Sequence, residues 1–163
     1  GLNNSQGDYV SYMPSDGQLD PKLLIKLWKL ITSSNYDMVK IRRISRESRI
    51  RFWRSKIFNF LVHILHPVSE SITDINASPR IFRRLWLPKL DLIYADSFID
   101  TELAIKAYYL RWKIKEIPAI TLPRLGGKST VSYKTVIEFL RNILTFRQTT
   151  KWQIWWQRNV CKV

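Results

Sequence analysis

Apolar residues recur along this chain at two periods, and the switches between them mark its elements. Tyr9 to Met13 reads as a short strand that runs into a polar turn, Pro14-Ser15-Asp16-Gly17-Gln18. Asp20-Pro21 then opens a helix, with Asp as the N-cap and Pro at the first helical position. Leu23, Leu24, Leu27, Trp28 and Ile31 fall on one face at helical spacing, and Ser33, Ser34 and Asn35 end it. Asp37 to Ile41 reads as a second strand. Strand, turn, helix and strand in this order make the crossover unit of a parallel sheet.

Further along, residues 42–56 are a basic loop running into a helix that continues through Leu65 and stops before Pro67. Thr73 to Arg84 reads as loop plus strand, Thr101 to Trp112 as a helix with Leu103, Ala104, Ala107 and Tyr108 on one face, and Ile114 to Ile120 as a strand. Tyr133 to Phe146 is amphipathic, with Val136, Ile137, Leu140, Ile143 and Leu144 in one stripe. The pattern predicts an α/β fold: a mostly parallel sheet, flanking helices and a C-terminal amphipathic helix. No internal repeat or low-complexity linker divides it, so residues 1–147 form one domain, followed by a basic, Trp-rich tail over residues 148–163.

Composition narrows the class. With 163 residues, 45% of them hydrophobic, the chain can bury a core and is not a disordered polymer. The single cysteine, Cys161, excludes a disulfide framework and fits a reducing compartment. The longest apolar run, Ile57 to Leu65, is broken by Asn59 and His63 and falls short of the ~20 residues of a membrane span.

The net charge of +14 is unevenly placed. Four Lys and four Asp cancel in residues 1–41, so the excess lies in residues 42–163, and seven basic residues fall between Arg42 and Lys56. Such a surface attracts polyanions: nucleic acid, anionic lipid or phosphorylated substrates.

Several constellations can carry chemistry. In Glu116 to Thr130, a short apolar strand precedes Arg124, Gly126, Gly127, Lys128, Ser129 and Thr130. Glycines allow close backbone approach to a ligand, and Arg and Lys supply donors for phosphate oxygens; a solvated basic turn is the plain alternative. Asp16 and Gln18 place oxygen ligands at a strand's carboxyl end, as a hard cation holding a diphosphate requires, or simply form an Asp-Gly turn. Asp100 and Glu102 stand at a helix start, where either can act as a general base or complement the helix dipole. Asp74, Asn76, Ser78 and Arg80 are a polar cluster that lines a site or a loop. His63 and His66, flanked by Leu and Ile, read as packing residues. Trp152, Trp155 and Trp156, interleaved with Lys151, Arg158 and Lys162, suit a core, a stack of nucleobases or, the reading favoured here, a bilayer interface.

Taken in order, these segments resemble family 2 glycosyltransferases, in particular the dolichyl- and polyprenyl-phosphate sugar transferases. Gly7-Asp8-Tyr9-Val10 with Ser15-Asp16-Gly17-Gln18-Leu19-Asp20-Pro21 resembles the strand and metal-binding turn. Tyr36-Asp37-Met38-Val39 and Arg42 resemble the next strand and its arginine, and Ser55, Asn59 and Leu61 the helix after it. Asp74 to Arg83 resembles the segment facing the acceptor. Phe98-Ile99-Asp100-Thr101-Glu102, Glu116-Ile117-Pro118 and Arg124 to Thr130 resemble the closing part of a GT-A-type, Rossmann-like domain. The resemblance spans about residues 7–147.

It implies an inverting displacement in which an acceptor, for these relatives a lipid phosphate, attacks the anomeric carbon of a nucleotide-diphosphate sugar. It implies a divalent cation, Mg2+ or Mn2+, at Asp16 and Gln18. Asp100 or Glu102 would orient acceptor or sugar. Arg42, Asp74, Arg80, Arg124, Lys128 and Ser129 would bind phosphate or acceptor. The protein would work at the cytoplasmic face of a membrane with an anionic surface as partner. Two departures stand out. Pro14 occupies the first acidic position of the family's Asp-x-Asp turn, and the apolar strand and Pro-x-Tyr-Asn-Glu-like turn that open the family's domain do not precede Gly7. The chain is therefore expected to be a C-terminal portion that is inactive by itself, with an exposed sheet edge.

Two other readings compete. A basic nucleic-acid-binding module accounts for the charge and the seven Trp, but the chain carries no paired-Cys finger or aromatic sheet motif, so no specific nucleic-acid partner is expected. A non-catalytic membrane-surface protein using residues 133–163 is the third.

Overall fold

A computed structural model describes residues 2–45, 49–122 and 133–161. Four strands, β1 (Tyr9–Tyr12), β2 (Met38–Arg43), β3 (Arg80–Arg83) and β4 (Ile114–Ala119), form one sheet in the order β1-β3-β2-β4. Helix α1 (Lys22–Ser33) links β1 to β2, and α2 (Arg49–Leu65) follows β2. The short α3 (Leu87–Leu90) and the longer α4 (Ile99–Tyr109) lie between β3 and β4, and α5 (Tyr133–Thr145) and α6 (Thr150–Asn159) close the chain.

The fold is α/β as its pattern predicts, but the sheet is mixed rather than mostly parallel. β2 and β4 pair in parallel, whereas β3 pairs antiparallel with both β1 and β2. The β1–α1–β2 unit is a parallel crossover, with β3 inserted between its two strands. One side of β1 and one side of β4 have no strand partner among the described residues. β1, β2 and β4 point the same way, so their carboxyl ends share one rim of the sheet, where open α/β sheets place their ligands.

Strand alternation divides the core into two layers. On one face Val10, Phe82, Met38 and Ile114 stand in register and pack against α4, α5 and α6. On the other, Ile81, Val39 and Ile41 pack against Leu27 and Ile31 of α1. Asp20 holds the start of α1, its carboxylate accepting from Lys22 N at 2.8 Å, though Trp28 points outward rather than into the core. Helix α4 is enclosed on all sides: every residue from Thr101 to Ala107 is buried.

The Trp-rich tail corrects the expectation of a bilayer interface. Trp152 and Trp155 are buried in the same core as α4 and stack with ring centroids 5.0 Å apart. The Trp155 indole donates to Lys89 O at 2.7 Å, and Thr149 caps α6 by accepting from Trp152 N at 3.2 Å. Residues 149–160 thus complete the main core rather than forming a separate segment. Of the two histidines only His66 is a packing residue, buried with Nε2 donating to Ile143 O at 2.7 Å; His63 is exposed, its ring nitrogens beside Asn59 O and Ile72 O.

Candidate active site

Two residues beyond the apolar row on the α4 side of the sheet, the same alternation produces a polar one. Tyr12 pairs with Arg80, Arg80 with Lys40, and Lys40 with Glu116, so four polar side chains from four strands line one face near the carboxyl rim. A polar row this deep persists only if its members satisfy one another.

Arg80, 1% exposed, lies with its guanidinium 5.2 Å from the Tyr12 ring. Its Nη2 donates to Ile75 O and Ala77 O at 3.1 Å each and pairs with Asp100 Oδ1 at 3.1 Å. The Tyr12 hydroxyl donates to the same carboxylate oxygen at 2.5 Å. Burial, with Asp100 beside it, pushes the Tyr12 hydroxyl well above its ordinary range despite the opposing pull of Arg80, so Tyr12 keeps its proton and donates it. Asp100 enters from the first turn of α4 and is anchored from two directions while its side chain stays partly accessible.

At the other end of the row, Lys40 Nζ donates to the carbonyls of Asp74 and Ile75 and pairs with Glu116 Oε1 at 3.4 Å. Ile75 O accepts from both Lys40 and Arg80, which joins the two halves of the row. Glu116 in turn accepts from Thr73 N and Thr73 Oγ1 and from Asp74 N. The loop before β3 is therefore pinned along its length.

Burial, reinforced by the like charge of Arg80, pushes the Lys40 amine down to about 7, while Glu116, Asp74 and Asp100 oppose the shift. Between that value and the ordinary 10.5, the unfolded chain holds a proton that the folded chain has released, so stability rises with pH across this window. Lys106, also lowered by burial, acts with the same sign, and Tyr12 reverses the trend once unfolded tyrosine ionises near pH 10. Urea midpoints are thus expected to rise from neutral pH toward pH 10, and to rise less in Lys40→Met; an equal rise in both proteins would remove Lys40 as its source.

The sequence-based candidates separate in this frame. Glu102 is wholly buried and committed to the fold: it pairs with Lys106 Nζ at 2.7 Å and accepts from Ile93 N and Tyr94 N at 2.9–3.0 Å. It has no face left for a substrate, which corrects its assignment as a second catalytic carboxylate. The Asp74 carboxylate takes Arg43 in a bidentate grip, 2.9 Å from Nε and 2.8 Å from Nη2, so it orders the loop rather than facing an acceptor. Arg80 likewise holds Asp100 and the loop carbonyls, in place of the phosphate contact expected of it. Arg42 is exposed at the carboxyl rim. Arg124, Lys128 and Ser129 lie outside the described residues.

Asp16 and Gln18 sit in the turn after β1, at the same rim as Tyr12 and Asp100. Gln18 N donates to Asp16 Oδ1 at 3.2 Å, and Gly17 takes a φ of 71°, the left-handed region that glycine enters without a Cβ clash. Among the described residues no group of three or more His, Cys, Asp or Glu is placed to hold a metal. Two hard oxygen donors fit a cation that shares a diphosphate, because Mg2+-type ions take one or two protein ligands and complete their shell with phosphate oxygens and water.

Leu122 N donates to Gln18 O at 2.8 Å, and Thr121 N to Ser45 Oγ at 2.8 Å, so the exit of β4 bridges the exits of β1 and β2. A separate open cleft, lined by Asp8, Arg83, Arg84 and Asp91, adjoins the start of β1 at the opposite rim and shares no residue with the polar row.

Sequence reasoning missed Tyr12, Lys40 and Arg43 as site-builders and took Glu116 only as the start of a loop motif. Lys40 did carry a signal: it interrupts the apolar strand Met38-Val39-Lys40-Ile41 at a position that alternation sends inward. A family model, Glycosyl transferase family 2, matches residues 1–91, more than half of the chain, and takes in β1, the Asp16–Gln18 turn, β2 and β3. On that match, and on the α/β sheet whose carboxyl rim gathers these residues, the chain belongs to glycosyl transferase family 2.

Proposed function

We propose that this glycosyltransferase moves a sugar from a nucleotide-diphosphate donor to a polyprenyl or dolichyl phosphate, by one inverting displacement, at the cytoplasmic face of a membrane. The observation that carries the reading is the Asp100 carboxylate, fixed by Tyr12 and Arg80 at the same rim as the Asp16–Gln18 turn. Asp100 orients the acceptor in line with the anomeric carbon. An acceptor phosphate is already anionic, so positioning and charge neutralisation supply most of the acceleration.

Asp16 and Gln18 would hold the divalent cation, which when bound neutralises the departing diphosphate. Arg42, exposed at the rim, is a phosphate contact in this reading. Arg124, Lys128 and Ser129 would supply others, and Arg124 is only two residues along the chain from Leu122, which is tied to the Gln18 turn. Residues 1–163 alone are proposed to be inactive, since the open side of β1 would take further strands that seat the nucleotide base.

The test uses residues 1–163 and the longest polypeptide encoded in frame with them. Each is given labelled nucleotide-diphosphate sugars, Mn2+ or Mg2+, and polyprenyl phosphate in detergent. The expected result is label in the lipid phase from the longer polypeptide, abolished by EDTA, and none from residues 1–163. Transfer to soluble sugars in preference to polyprenyl phosphate would overturn the acceptor assignment. Undiminished transfer in EDTA would overturn the metal role of Asp16 and Gln18.

A further inference from the structure

Helices α2 and α5 lie side by side, joined by Phe58 and Phe139 with ring centroids 4.3 Å apart and by the bond from His66 to Ile143 O. Each turns a second apolar stripe away from the core. On α2, Val62 and Asn59 face inward, whereas Trp53, Ile57, Phe60 and Ile64, spaced i, i+4, i+7 and i+11, stand outward on one face. Trp53, Phe60 and Ile64 are 63%, 64% and 63% exposed. On α5, Phe139 and Ile143 are buried while Tyr133, Val136, Ile137, Leu140 and Leu144 are exposed. A soluble surface scatters such residues singly; stripes on two adjoining helices mark an interaction site.

We propose that the outer stripes of α2 and α5 form a docking face for an anionic lipid bilayer. This deepens the membrane part of the reading above and moves it from the Trp-rich tail, whose Trp152 and Trp155 are buried and whose Trp156 is half-buried, to these helices.

Charge selects the occupant. Helix α2 contains no acidic residue, and Arg49, Arg54 and Lys56 are exposed along it; on α5 Lys134 and Arg141 are exposed against the single acidic Glu138. Bulky apolar and aromatic side chains on one side of a helix with Lys and Arg around them suit insertion at the headgroup boundary, where the cations meet lipid phosphates. A second copy of the chain would set Arg49, Arg54 and Lys56 against their own equivalents within a +14 molecule, an unfavourable self-pairing.

The test is co-sedimentation with phosphatidylcholine vesicles, with and without phosphatidylglycerol, at low and high salt. The vesicles hold neither sugar donor nor polyprenyl phosphate, so the result is independent of whether transfer occurs. The wild type is expected to bind the anionic vesicles and to keep part of that binding at high salt. The variant Trp53→Ser/Phe60→Ser/Ile64→Ser should bind at least about tenfold more weakly with an unchanged melting curve. Should that variant misfold, Leu140→Ser/Leu144→Ser on α5 makes the same measurement.

Failure of the wild type to bind vesicles, or equal binding by wild type and folded variants, would overturn the proposal. So would complete loss of wild-type binding at high salt, which assigns the effect to charge alone. A concentration-dependent dimer that the variants lose would give the face to a second copy, and retention of random duplex DNA that they lose would give it to nucleic acid.

Discussion

Replacing Glu102 by alanine is expected to destabilise the protein by about 3–5 kcal/mol, the cost of stripping one partner from a buried ion pair. Lys106 would be left with its charge in the core, under the Trp155 ring at 5.0 Å and donating to Asp91 O at 2.8 Å. The half-buried backbone N–H groups of Ile93 and Tyr94 would lose their acceptor too. Lys106→Met in the same background removes the stranded charge, so the double variant Glu102→Ala/Lys106→Met should be more stable than Glu102→Ala alone. Urea unfolding followed by tryptophan fluorescence reads both. A Glu102→Ala protein within about 1 kcal/mol of wild type would mean that the pair does not hold α4 to the loop before it.

That role of Glu102 could not be read from the chain alone. Asp100 and Glu102 stand two apart at a helix start, and both are acidic residues in the first turn, where the helix dipole favours them. Rotation by two positions around a helix separates their directions by about 200°. One carboxylate therefore reaches Tyr12 and Arg80 at the rim while the other turns into the core toward Lys106. Which of them faces the substrate depends on which side of α4 the sheet covers, a tertiary fact.

The same limit explains the sheet. Periodicity located β1, α1, β2 and β4 within a few residues, because each buries one face or stripe. The strand read within Thr73 to Arg84 is the four-residue β3, Arg80-Ile81-Phe82-Arg83, but arginine at both ends hides that it is an inner strand and antiparallel to its neighbours. Its position between β1 and β2 sets the mixed topology and brings Tyr12, Arg80, Lys40 and Glu116 into one row. Residues 12, 40, 80 and 116 have no local relationship, so a cross-strand row among them follows only from register.

The tryptophans were ambiguous for a related reason. Spacing of i, i+3 and i+4 yields one apolar face whether a core or a bilayer covers it. Lys89 O, a distant acceptor for the Trp155 indole, decides for the core. On α5 the stripe of Val136, Ile137, Leu140, Ile143 and Leu144 was visible, yet the core takes only Ile143 from it, adds Phe139 and leaves the rest of that stripe outside.

Asp100→Asn is expected to lower kcat/KM for sugar transfer by about a hundredfold in the polypeptide that shows transfer, the cost of letting an oriented acceptor drift by roughly 1 Å. The substitution keeps the shape of the side chain and an oxygen that can accept from Tyr12, but removes the charge opposite Arg80. Some stability is lost with that charge, so the rate must be referred to the folded fraction at a urea concentration well below the midpoint. Tyr12→Phe offers a milder comparison: the carboxylate keeps Arg80 and loses one orienting bond, so its defect should be smaller than that of Asp100→Asn. The pH profile of the wild type then separates two acceptor chemistries. With an acceptor phosphate, whose oxygen is already anionic, the rate should have no limb set by deprotonating the nucleophile; with an acceptor hydroxyl, Asp100 must take its proton, and the profile should carry such a limb. Glu102→Gln supplies the internal control, since a residue enclosed by Ile93, Tyr94 and Lys106 should lower the melting point and leave kcat of the folded protein near wild type. A folded Glu102→Gln protein with a lost kcat, alongside an active Asp100→Asn protein, would exchange the roles of the two carboxylates and with them the side of α4 that faces the substrate.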